Sequence, residues 1–173
     1  MSEKLHIESP NYTNLNRLIA QTVSSLTAST RYDGTQPMSL NSFLSNLIPY
    51  PRIHFLQASY SSLIPLESSY YYNPSVQEIT KEAFLYDSMM INANPRHGKF
   101  MSCAMMYRGD CIPKDVISAT YDIRFDTSIR FSDWVPTGMK VSISDQRAPI
   151  LPQSDMAKTL RSLCMFSNIT SIA

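Results

Sequence analysis

Leu15, Leu18, Ile19, Val23 and Leu26 recur at the three- and four-residue spacing of a helix, with polar residues between them. Ser9 followed by Pro10 reads as an N-cap with proline at the first helical position. The spacing therefore predicts a long amphipathic helix running to about Arg31, where Asp33-Gly34 breaks the pattern. A second, short helix is predicted from Ser39, with Leu40, Phe43, Leu44 and Leu47 as its buried face and Pro49 ending it. Its first turn carries only small uncharged polar residues, Ser39, Asn41 and Ser42.

Arg52 to Tyr60 alternates as a strand, with Ile53, Phe55 and Gln57 on one side and His54, Leu56 and Ala58 on the other. Neither side is polar throughout, so the sheet is expected to be covered on both faces. The 14 residues SSLIPLESSYYYNP that follow have no periodicity, and loops of that length in compact domains are usually functional or disordered. Ser75 with Glu78 three residues later is a capping box, opening a helix that buries Val76, Ile79, Ala83 and Phe84.

Asn94-Pro95 and His97-Gly98 mark a loop before a predicted strand, FMSCAMMY. Arg108-Gly109-Asp110 then turns the chain into a helix from about Pro113, with Val116, Ile117, Thr120 and Ile123 inward. A strand is expected over Met139 to Ser144, then the excursion QRAPILPQSD and a last apolar segment, LCMFSN. There Leu160, Leu163 and Phe166 allow either helix or strand. Strands separated by helices argue for an α/β layered domain.

The length of 173 residues suits one domain of ordinary size, about 150 residues. A formal net charge of +1 and the lack of any basic run give no electrostatic reason for a nucleic-acid or membrane partner. The amino terminus has no apolar core of a secretory signal, and no apolar run approaches the roughly 20 residues of a membrane span. Cys103, Cys111 and Cys164 are an odd, scattered set that suits free thiols in a reducing compartment. The expectation is a cytosolic chain.

No glycine-rich phosphate loop exists among the four glycines, and His6, His54 and His97 have no ligand neighbours at metal spacing. No serine sits in a nucleophile elbow, and Arg108-Gly109-Asp110 reads as a turn rather than an adhesion signal. Without a secretory route, the glycosylation patterns at Asn11 and Asn168 are empty. Tyr12 and Asn16, four apart, share one helix face near its start, where a ring can stack on a base and a carboxamide bond its edge.

YTNLNRLIAQTVSSLTAS, NLIPYPRIHF, NPRHGKFMSCAMMYRGDCIPKDV, DWVPTG and LCMFSN together resemble α-tubulin, in order along the chain from about residue 3. The connection containing ILPQSD has the length that looks like α rather than β tubulin. The resemblance implies a mixed sheet flanked by helices, as in the tubulin intermediate domain, preceded by the long core helix. It divides the chain into 1–34 (core helix, end of the nucleotide-binding domain), 35–169 (intermediate domain) and 170–173 (start of the carboxy-terminal helices). It also implies a fragment or truncated product, in which surface that the nucleotide domain would cover, at Leu18, Val23 and Leu26, favours aggregation.

By position, Tyr12 and Asn16 match core-helix residues that contact guanine, so GTP, with its Mg, is the family cofactor. Without a phosphate cradle its affinity here should be very weak. Ser61 to Asn73 matches the lateral-contact loop, with Tyr71, between Tyr70 and Tyr72, as the key that enters a neighbour. In α-tubulin a glutamate, an aspartate and an asparagine promote hydrolysis of the GTP held by β-tubulin; by position they are Ser42, Ser39 and Pro37 here. No catalytic residue and no metal ligand is therefore expected. The resemblance implies a structural constituent of microtubules in the cytoplasmic cytoskeleton, partnered by β-tubulin and neighbouring subunits. The alternatives are a GTPase subunit by inheritance, or a decoy that binds tubulin without polymerising.

Overall fold

The computed structural model describes residues 11–48, 50, 52–68, 70–134, 138–150, 154 and 156–172. Among them, four strands form one mixed sheet: β1 (Gln57–Ser61), β2 (Phe100–Gly109), β3 (Gly138–Ser144) and β4 (Arg161–Ile169), in the order β1-β4-β2-β3. β4 runs antiparallel to both β1 and β2, whereas β3 lies parallel to β2. Parallel neighbours need a crossover, and α5 (Pro113–Phe125) supplies it. The α/β expectation holds, and LCMFSN resolves as strand. Its central position between β1 and β2 buries it on both faces, which removes the alternation that identifies a strand.

Both faces of the sheet are covered, as expected. On one side α4 (Val76–Ala83) and α5 pack Ile79, Ala83, Phe84, Val116 and Ile123 against Cys103, Met105, Leu163 and Met165. Ser75 and Glu78 complete the capping box in both directions. Val116 and Ile123 face inward with Ala119, but Ile117 stands 54% exposed, and Thr120 instead donates to the Val116 carbonyl. On the other side α3 (Leu40–Leu47), with Ser39 as N-cap, buries Phe43 and Leu47 against Ala104 and Met106. Leu40 and Leu44, expected inward, lie half exposed because an eight-residue helix offers the sheet only one narrow stripe.

The first helix departs most from expectation. Ser9 and Pro10, proposed to start it, lie outside the described residues; α1 spans Tyr12–Leu26, with Asn11 as N-cap. Thr27 interrupts it, and α2 (Ala28–Arg31) continues. Its domain-facing side is mostly polar: Leu18 is buried, but so are Gln21, Thr22 and Ser25. Leu15, Ile19 and Val23 face out at 41, 57 and 52% exposure. This side meets hydrogen-bonding groups of the loops packed on it, Gln21 donating to the Pro149 carbonyl and Thr22 to Met90 Sδ, which is why polar residues stand there.

The predicted strand from Arg52 begins five residues later, at Gln57. Asn168 of β4 turns its amide to the Leu47 and Ile53 carbonyls, so the chain ahead of Gln57 is held by side-chain bonds rather than a ladder. Arg108 and Gly109 belong to β2, and the turn falls after them. Gly109 has a φ of 92°, and a Cβ there would meet the Leu160 carbonyl oxygen at 2.1 Å, so only glycine fits.

Candidate functional site

Three regions carry the residues singled out in the sequence. The first is the tip of α3. Ser39 Oγ accepts from the Ser42 backbone N–H at 3.2 Å, closing the helix start. The approach is pinned: Gln36 exchanges both backbone hydrogen bonds with Ile143, and Ser29 donates to the Met38 carbonyl. Pro37, Ser39 and Ser42 consequently line one open depression of about 490 Å³, together with Ser29, Thr30 and Lys140. Lys140 is the one ionisable side chain in that lining, and its ammonium donates to Ser42 Oγ. Sequence reasoning missed Lys140, because its contact joins a strand and a helix start 98 positions apart.

The second region is the tyrosine loop. Tyr70 and Tyr71 are 91 and 94% exposed and Tyr72 is half exposed. The loop is neither periodic nor loose at its base. Ser61 Oγ and the Ser62 N–H both donate to Glu82 Oε2, Ala157 donates to the Ile64 carbonyl, and Pro65 bridges Met156. A single 3-10 turn, Leu66–Ser68, leads to the tip, where the Tyr71 N–H reaches the Ser68 carbonyl. The Tyr72 phenol is pushed up, first by partial burial and then by the Glu82 and Glu78 carboxylates.

The third region is the start of α1. Tyr12 is 82% exposed, and Asn16 lies on the same outer surface one turn on. Neither lines any of the four described cavities of the chain. Among the described residues, those present do not by themselves fit a nucleoside triphosphate: one ring and one carboxamide stand on an open helix face, with no described backbone cradle for phosphate beside them. These two residues are not brought together with Pro37, Ser39 and Ser42 in one site.

Behind these regions, Arg108 is buried at 2% exposure and ties three segments. Nη1 donates to Ser24 Oγ of α1 at 3.1 Å, and Nε and Nη2 donate to the Gln146 and Arg147 carbonyls. This is what the arginine of the Arg-Gly-Asp triplet does. The three cysteines are free and buried, and burial pushes the thiols of Cys111 and Cys164 up to about 11 and about 12. Among the described residues no cluster of His, Cys, Asp and Glu is placed to hold a metal ion, and no helix is long and apolar enough to cross a membrane.

The family model for the Tubulin C-terminal domain matches residues 51–173. The mixed four-stranded sheet with its flanking helices agrees with that match. The chain therefore belongs to the tubulin family, whose members are structural subunits that associate with one another in the microtubule cytoskeleton.

Proposed function

We propose that this chain acts as a divergent α-type tubulin segment, a contact element that docks on neighbouring subunits, β-tubulin among them, in the cytoplasm. On this reading residues 1–34 contribute the core helix, 35–169 the intermediate domain and 170–173 the beginning of the carboxy-terminal helices. Tyr12 and Asn16 are residual guanine contacts, and GTP with its Mg is at most weakly held by these residues alone.

One observation carries the docking role: a pair of fully presented aromatic side chains, Tyr70 and Tyr71, on a loop whose base is hydrogen-bonded to the domain at both ends. Tyrosine supplies large contact area at small conformational cost and is enriched among the anchors of interfaces. The α3 tip supports a second feature, docking without a trigger. Where the α-tubulin pattern places carboxylate and carboxamide groups, Pro37, Ser39 and Ser42 line a depression whose ionisable group is Lys140. A serine hydroxyl is no general base at neutral pH.

Co-sedimentation with microtubules tests the docking role. The chain is expected in the pellet, and Tyr71→Ala should move it to the supernatant. The competing decoy reading is favoured by the outward Leu15, Ile19 and Val23, which leave an apolar stripe beside the domain. A decoy would bind unpolymerised tubulin and lower the amount of polymer formed.

A further inference from the structure

Glu82, near the end of α4, receives the chain as it leaves β1. Its Oε2 accepts from Ser61 Oγ at 2.8 Å and from the Ser62 backbone N–H at 3.2 Å. Ser62 is the only described non-glycine residue with a positive φ, 71°. The left-handed region is unfavourable for an L-residue with a side chain, so something must hold it there. Ser62 is also buried, so its N–H cannot turn to water, and the ladder that would have supplied a carbonyl ends at Ser61. The Glu82 carboxylate is the acceptor that replaces it.

The same helix holds the returning limb of the loop. Glu78, one turn before Glu82 on α4, accepts from the Ser75 N–H at 2.8 Å. Both ends of the tyrosine loop are thus bonded to carboxylates on one face of α4. Of the described residues of the loop, 66–68 and 70–73 are left to project.

We propose that Glu82 is a positioning residue for the tyrosine loop: it fixes the left-handed turn at Ser62 and so sets the direction in which Tyr70 and Tyr71 meet a neighbouring tubulin subunit. The inference rests on the docking role proposed for the loop. Its first half, the turn, is measurable without any partner.

The test is hydrogen exchange in the full protein, read over residues 61–64 and, as a control, over Cys103–Tyr107 of β2. Glu82→Ala is expected to lower protection of 61–64 by about tenfold, the worth of one charge-assisted hydrogen bond, with β2 unchanged. Adding Ser62→Gly should recover protection at residues 63 and 64, because glycine adopts the left-handed turn without the carboxylate, while the amide at 62, its acceptor gone, stays unprotected. Polymer binding should fall and recover in the same order across the variants. Unchanged exchange in Glu82→Ala, or protection lost equally in β2 with no recovery by Ser62→Gly, overturns the proposal. So does polymer binding that ignores Glu82 while exchange responds. A wild-type chain that never pellets, with exchange behaving as expected, refutes the docking role and leaves Glu82 as the residue that sets the turn.

Discussion

Lys140 on β3 and Ser42 in the first turn of α3 are joined by a hydrogen bond from ammonium to hydroxyl. The contact crosses from strand to helix and places a cation at a helix start, where the backbone dipole favours negative charge. Ser42→Glu would give the turn the charge it lacks and Lys140 an ionic partner. Both effects are small at an exposed site, so the variant is expected to gain about 0.5–1 kcal/mol, read as a modest rise in the denaturation midpoint. A loss of stability would mean that the depression is not as open as described.

Tyr71 is expected to matter for binding and not for folding. At 94% exposure its side chain has almost no intramolecular contact to lose, so Tyr71→Ala should leave the melting temperature unchanged within about 0.5 kcal/mol. Affinity for polymer should fall by about 2 kcal/mol, roughly thirtyfold, if Tyr71 is an interface anchor. Titrated co-sedimentation reads the second quantity and calorimetry the first.

Arg108 should behave in the opposite way. Arg108→Ala removes three donated hydrogen bonds and leaves a hole beside α1, costing about 2–4 kcal/mol in urea denaturation. Arg108→Lys should recover little, because a single ammonium cannot span the fork that reaches Ser24, Gln146 and Arg147. Full recovery by lysine would show that charge alone holds these segments.

Above pH 9 the chain should lose stability. Burial holds the Cys111 and Cys164 thiols protonated to about 11 and about 12, whereas an unfolded thiol ionises near 8.5. Between those limits the unfolded chain binds fewer protons than the folded one, so stability falls as pH rises, by up to about 1.4 kcal/mol per pH unit for each thiol. Denaturation at pH 8 and pH 10 reads the effect, and Cys111→Ser with Cys164→Ser should reduce the slope.

Much of this was legible in the sequence for definite reasons. The capping box at Ser75 and Glu78 is a local chemical signal, and α4 buries the residues its spacing names. The N-cap at Ser39 is of the same kind. The failures arise where tertiary context decides. Leu15, Ile19 and Val23 form a sound helical stripe, yet the periodicity cannot say that the domain-facing side of α1 would be served by Gln21, Thr22 and Ser25. The Lys140 contact and the Glu82 clamp join residues far apart in sequence, and no spacing rule reaches them. The grouping of Pro37, Ser39 and Ser42 came from the resemblance to α-tubulin; composition and spacing alone marked only an uncharged helix start.

The stripe itself makes a prediction. Ile19→Ser with Val23→Ser should leave unfolding free energy within about 0.5 kcal/mol, since both side chains are already about half exposed, while reducing self-association in sedimentation velocity. Leu18→Ala, on the buried side, should cost about 2 kcal/mol or more.

The central claim, docking without a trigger, is tested most directly by phosphate release from labelled GTP bound to β-tubulin in polymer carrying this chain. The expected rate is no higher than that of β-tubulin without it, and it should rise at least about tenfold when Ser42→Glu puts a carboxylate at the tip of α3. A wild-type chain that itself accelerates release tenfold or more would contradict the account.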